Sequence, residues 1–465
     1  MPYLATQTWL LLLWCTLSGW LLLAAPSLAA NSSVLIAAAT APPLVAIDRS
    51  TVKPSTGATT SLPAEVTHLT LWHGVNPPRN RIVLQQLVAQ FNQTHPHIQV
   101  EPLYIGQPDQ QLPKILAAIV GHAPPDLLWY APTLTGRLLD LEALCPLDDW
   151  LQGPLAADLD PTLLSSMTLE GHLWSVPFGT NNVGIYYRPS LFDQAGITEL
   201  PKTWEDLRRV ARQLSHDWNH DGRPDQYGLL LPLGKGEWSV FTWLPFFWSA
   251  GGEITITTKV AETIQLDPSG AIAALQLWQD LLTDGSAVLS APERGYELDK
   301  FLAGKVAMQL SGPWTLEQLV ATGVDFGVMP IPTGQQRATV IGGENLFVLR
   351  TTSAHQQAAL QFLEFVLSES FQTQWAMGTG YLPVNLKARQ SAAYQRYVAQ
   401  NPALKIFLEQ AAFGRSRPLF AGYNHLSESL GRAIEAVLLQ KSTPQEALQA
   451  AQKRLELAGF VVDRK

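Results

Sequence analysis

Val66-Thr67-His68-Leu69-Thr70-Leu71-Trp72 is a β-rich run with alternating apolar positions, the pattern of a strand with one face buried. From Arg81 to Thr94 the period changes: Leu84, Leu87, Val88 and Phe91 fall on one face of a helix. Ile98-Gln99-Val100-Glu101-Pro102-Leu103-Tyr104 then returns to strand character, 110–120 is again helical, and Asp126-Leu127-Leu128-Trp129-Tyr130 reads as a third strand. Strand, helix, strand, helix, strand predicts a parallel sheet with crossovers. Such sheets take ligands at the carboxyl ends of their strands.

The same alternation starts again downstream. Val183-Gly184-Ile185-Tyr186-Tyr187 reads as a strand, and Thr203 is placed to cap the helix that Trp204 opens. Helices over 269–283 and 297–303, a strand over 306–310 and an apolar stretch over 326–332 complete a second set. Val340-Ile341-Gly342-Gly343-Glu344-Asn345-Leu346-Phe347-Val348-Leu349 reads as one strand opened in its middle by two glycines, before a helix over 355–367. Adjacent glycines in a strand mark a close approach of backbone to something else. The expected fold class is α/β.

At 465 residues the chain exceeds one core, so two or more domains are expected. The net charge of −8 argues against nucleic acid as partner. The 15 Trp can serve as core rings or as a stacking surface. The run from Trp9 to Ala25 is almost wholly apolar and is followed by Pro26-Ser27-Leu28-Ala29-Ala30, the composition of a secretory leader and its cleavage site. Because Met1 to Thr8 carries no Lys or Arg, retention as an anchor stays open. Cleavage would remove Cys15 and leave Cys145 alone, with no internal disulfide. Residues 31–63 are a Pro/Ala/Thr-rich stretch that reads as a tether.

The order of short motifs along the body resembles the extracellular solute-binding proteins of ABC importers, the sugar and glycerol-phosphate binding type. The landmarks are Trp72-His73, Ala123-Pro124-Pro125-Asp126, 182–188, Pro201-Lys202-Thr203-Trp204, Ser311-Gly312-Pro313-Trp314, Gly342-Gly343, 378–383, Arg417-Pro418 with Tyr423, and Thr443-Pro444. The resemblance implies a leader or anchor over 1–29 and a tether over 30–65. One lobe would then take 66–180 plus 342–386, and the other 181–341 plus 387–465. It further implies a two-lobed fold with a ligand cleft at the hinge between lobes, crossings between lobes near 178–182, 339–343 and 383–387, and closure about that hinge.

The resemblance also implies a site. Tyr381 looks like the tyrosine that enters the cleft from a hinge loop, and Arg417 like the late arginine that donates to sugar hydroxyls. Trp314 resembles a stacking tryptophan, and Thr180, Asn181 and Asn182 fall where related proteins place polar contacts. Gly342 and Gly343 would bring main-chain amides to the ligand, with Glu344 accepting hydroxyl hydrogen bonds beside them. Tyr130 and Thr133 close the third strand, His73 follows the first, and one ring of the run around Trp243 would reach the ligand. Each also has an ordinary reading: a turn or cap for the asparagines, a bulge for the glycines, core for the tryptophans, a salt bridge for Arg417. Ser427 stands where glycerol-phosphate binders carry an arginine, which favours a neutral ligand.

Asp217-Trp218-Asn219-His220-Asp221-Gly222-Arg223-Pro224-Asp225 spaces oxygen side chains as a calcium loop begins, with Asp217, Asn219, Asp221, the Arg223 carbonyl and Asp225 as donors. Gly228 stands at the twelfth position in place of Glu, so an Asp-Gly turn is the competing reading. No hydrolase elbow or zinc helix motif is present, so the chain is not expected to be an enzyme. It is expected to be exported to the periplasm, monomeric and partnered by ABC permease subunits, with a sugar or polyol as ligand and no cofactor required. A glycerol-3-phosphate or glycerophosphodiester binder and a ligand sensor are the alternatives.

Overall fold

The computed structural model describes residues 66–463 apart from 258–262, 267 and 292–297. The segments 1–29 and 30–65 lie outside the described residues, as does Glu297, the expected start of one helix.

The opening run forms the strand Thr67–His73, and the helix Pro78–Thr94 follows with Leu84, Leu87, Val88 and Phe91 buried as their spacing requires. Ile98–Tyr104 returns parallel to the first strand, and Leu127–Tyr130 lies parallel on its other side. The sheet is completed by Asn345–Val348 and Val176–Pro177, both antiparallel to their neighbours. A second five-stranded sheet runs in the order Ala287–Leu289, Tyr227–Leu231, Val306–Ser311, Gly184–Tyr187 and Gly327–Met329. Thr203 caps the helix Trp204–Gln213 as read, in a reciprocal box with Asp206.

Each sheet carries its own apolar core. Helix Glu237–Ser249 is buried along 239–249 and packs in the core of the second sheet, its Phe246 meeting Trp278 edge to face. A further apolar cluster, with Tyr186, Ala376, Leu382, Tyr394 and Phe407, joins the second sheet to the helices after 369. The body is therefore bridged by packed side chains as well as by chain crossings.

The stretch 340–349 departs from the expected single strand. Thr339–Gly342 belongs to a small sheet with Asn181–Asn182 and Gly414–Ser416, whereas Asn345–Val348 belongs to the first large sheet. The break falls at Gly343, whose φ is +115°. A Cβ there would stand 2.1 Å from the Gly179 carbonyl oxygen and 2.8 Å from the Thr180 Cα. The glycine thus lets two crossing segments touch backbone to backbone and lets one strand change sheets.

Replacing Gly343 by Ala should lower stability by about 2 kcal/mol or more, because the strained φ and the clash add. Gly171→Ala is the reference: its φ is +83° but a Cβ there meets nothing within 4 Å. Chemical denaturation of both variants checks this, and equal losses would show that backbone contact at Gly343 contributes nothing.

Candidate ligand cleft at the hinge

Three segments meet in the small sheet. Thr180 exchanges backbone hydrogen bonds with Leu382, donating at 3.0 Å and accepting at 2.8 Å, and its hydroxyl donates to the Gly342 carbonyl at 3.0 Å. Phe178 N–H donates to the Glu344 carbonyl at 2.9 Å. Beside this knot is a narrow opening of about 20 Å³ whose lining includes Pro132, Thr133, Thr180, Gly342, Gly343 and Arg417. Thr133 comes from the turn after the first sheet's third strand, and Arg417 from just beyond Gly414–Ser416.

Two carboxylates stand in this region with different partners. Glu344 accepts from the Tyr381 hydroxyl at 3.2 Å, and burial pushes its pKa from the ordinary 4.5 up to about 7 against the pull of Tyr381 and Arg417. Burial, with the Glu344 charge beside it, drives the Tyr381 phenol well above its usual range. Glu237, the first residue of the long buried helix, accepts from Arg417 Nη1 at 2.6 Å, from the Tyr423 hydroxyl at 2.8 Å and from the Ser427 hydroxyl. The Arg417 guanidinium also lies over the Phe241 ring, 4.9 Å from its centroid. Arg417 therefore forms a buried ion pair, not the surface one that was its ordinary reading.

The expected site residues divide. Thr133, Thr180, Gly342, Gly343 and Arg417 line the opening, and Tyr381 joins Glu344 in the adjoining pair. Gly342 and Gly343 serve close packing first: a Cβ on Gly342 would strike Asn181 Oδ1 at 2.3 Å and Phe241. Asn181 is buried, and its Oδ1 has no hydrogen-bond partner. Tyr130 is partly exposed and pairs in register with Asn345, one residue from Glu344.

Trp314 is partly exposed, packs against both large cores and meets Trp238 edge to face at 5.9 Å. Its carbonyl accepts from Asn80 Nδ2 at 3.3 Å, from the helix of the other sheet. The ring thus sits where the two lobes meet.

Three expectations are corrected. Trp243 is fully buried and stacks on Phe247 at 5.3 Å, so it is a core ring. Asn182 is fully buried, with its amide nitrogen donating to the Phe407 carbonyl at 2.8 Å and its oxygen accepting from Gln410 at 2.6 Å; its hydrogen-bonding capacity is spent inside the fold. His73 is the last residue of the first strand and buried; its Nδ1 accepts from Val75 N–H at 3.3 Å. Burial, aided by Arg81, lowers its pKa to about 4, so it is a neutral ring held by backbone.

In the 217–225 loop the acidic side chains turn onto their own backbone. Gly222 N–H donates to Asp217 at 2.8 Å, Arg223 N–H to Asp221 at 2.8 Å and Trp218 N–H to Asp225 at 2.9 Å. Among the described residues no group of three His, Cys, Asp or Glu side chains is gathered as a metal site. The described geometry is that of the Asp-Gly turn.

Sequence reading missed Glu237. It lies at the edge of an aromatic run that reads as core, yet it is the only carboxylate between Asp225 and Glu253, and that isolation was the available signal.

The chain resembles known proteins over most of its length. The family model described as bacterial extracellular solute-binding protein matches residues 86–403. The sn-glycerol-3-phosphate-binding periplasmic protein UgpB of Salmonella typhimurium is 26% identical over 411 residues, covering 84% of this chain and 92% of that protein. Among solved structures, the GacH receptor of Streptomyces glaucescens, described unliganded and with acarbose, superposes with a TM-score of 0.74 at 23% identity, covering 85% of this chain and 99% of that one. The cyclic alpha-maltosyl-1,6-maltose binding protein of Arthrobacter globiformis gives 0.69 at 25% identity, covering 84% and 98%. These are two-lobed sugar-binding proteins, and the fold expectation stands with them.

Raised from 4.5 to about 7, the Glu344 pKa makes a signed prediction. A carboxyl that holds its proton more tightly when folded contributes stability below its unfolded pKa, and that contribution is lost as pH rises through the folded value. The protein should therefore lose stability between about pH 4.5 and pH 7, and Glu344→Gln should flatten that part of the profile. Melting temperatures of both proteins across this range test it; parallel profiles would assign the slope to other groups.

Proposed function

This chain belongs to the bacterial extracellular solute-binding protein family, and we propose that it captures a neutral sugar or polyol glycoside by closing two lobes about the hinge opening and passes it to the permease of an ABC importer. The observation that carries the reading is the lining of that opening. It combines the Thr133 and Thr180 side chains and the Gly342–Gly343 backbone with Arg417, the last already paired to an internal carboxylate. Hydroxyls and backbone amides match the alternating donors and acceptors of a polyol. Trp314, at the lobe junction, offers an apolar ring face of the kind on which sugar C–H groups rest.

Export to the periplasm is part of this proposal, supported by the family description and by relatives named as periplasmic. So is action as a monomer without a cofactor. Family members bind substrates for transport, and the role assigned here contains no chemical step. Among the described residues no helix is long and apolar enough to cross a membrane.

A second reading has a specific observation behind it: the Salmonella relative is named for binding sn-glycerol 3-phosphate. Calorimetric titration with a panel of mono- and disaccharides, polyol glycosides, sn-glycerol 3-phosphate and glycerophosphodiesters separates the two. Saturable binding of a neutral member with a change in Trp fluorescence is expected, and binding confined to the phosphoesters would overturn the neutral reading. Trp314→Ala should weaken the neutral ligand by about tenfold or more while the protein stays folded at a somewhat lower melting temperature. A large loss of stability would return that ring to the core.

A further inference from the structure

We propose that Glu237 is the residue that excludes anionic ligands: it is a built-in anion that occupies the donors a ligand phosphate or carboxylate would need, and it leaves the cleft selective for hydroxyl-bearing neutral molecules. The inference deepens the proposed function and rests on it for the location of the ligand.

Three donors converge on one carboxylate. Arg417 and Tyr423 reach Oε1, at 2.6 and 2.8 Å, and Ser427 reaches Oε2. A guanidinium, a phenol and a seryl hydroxyl aimed at one point make a fitting seat for an oxyanion. The chain fills that seat itself. Glu237 opens a helix of 13 residues, so the helix N-terminus adds to the stabilisation of its charge. Phe241, one turn further on, lies under the guanidinium and holds it in place.

Exposure shows what remains available. The Arg417 side chain is 6% exposed and that of Glu237 25%, so the cation is covered and its partner only partly so. An ionised carboxylate only accepts hydrogen bonds. A neutral hydroxyl leaves that pairing intact, whereas a phosphate dianion finds the donors taken and meets a like charge. Arg417 lines the opening, so the selection operates on what the opening admits.

The experiment titrates inorganic phosphate and sn-glycerol 3-phosphate into the wild-type protein, Glu237→Gln and Glu237→Asp, with melting temperatures recorded for each. Glutamine keeps the shape and an acceptor oxygen but removes the charge; aspartate keeps the charge. Wild type and Glu237→Asp should show no saturable uptake of either anion at millimolar concentration, and Glu237→Gln should bind sn-glycerol 3-phosphate at least about tenfold more tightly than wild type. A folded Glu237→Gln protein without that gain overturns the proposal. So does a wild-type protein that binds sn-glycerol 3-phosphate as tightly as its best neutral ligand, a comparison that holds even if a variant fails to fold. If no neutral sugar or polyol binds but Glu237→Gln gains the anions, the selectivity stands and the assigned ligand class falls.

Discussion

The backbone contact of Gly343 with Gly179 and Thr180 is the constraint on which the rest of the cleft depends. It brings two crossing segments closer than any side chain would permit, and the chain leaves the small sheet there to enter the first large one. Everything near the opening is referred to this point. Thr180 is fixed by Gly342 and Leu382, Glu344 follows the break immediately, and Tyr381 is adjacent to the residue that pairs with Thr180. A few rigid hydrogen bonds thus position groups that are distant in sequence.

On this frame the protein places two carboxylates and treats them differently. Burying a charge is costly unless donors replace the lost water. Glu237 receives three donors, one of them a guanidinium, in place of the water it lost. Glu344 receives one phenol, too little to offset its burial, so it takes a proton near neutrality. Arg417 lies close enough to both to act on each, but its hydrogen bond goes to Glu237. Protonated, Glu344 can donate as well as accept, which suits a ligand hydroxyl that needs either.

The large architecture was legible because it rests on period. Leu84, Leu87, Val88 and Phe91 announce a helical face, and the runs around Leu69 and Val100 announce strands, whatever the rest of the chain does. Thr203 was readable as a cap for the same local reason. The site was legible only in part. Gly342, Gly343, Tyr381 and Arg417 stood out through short motifs, but which atoms they meet is decided by segments more than a hundred residues away in several cases. Asn182 looked like a ligand contact and is consumed by Phe407 and Gln410, partners without any local signature. Trp243 and its neighbours could not be divided between core and cleft by composition, since helix 237–249 is apolar on every side.

The ion pair also bears on closure. The lobes touch at several points: Asn80 donates to the Trp314 carbonyl, Arg79 lies 3.9 Å from Glu317, and Gly136 packs against the backbone at Phe420 and Ala421. Bringing such surfaces together with an unpaired guanidinium between them would strand a desolvated cation until a ligand arrived. With Glu237 in place no such penalty arises. A ligand then need not first neutralise a buried charge, and its hydrogen bonds contribute to affinity directly. The proposed preference for a neutral solute and the burial of Arg417 without a stranded charge thus have a common origin in the seat that Glu237 fills.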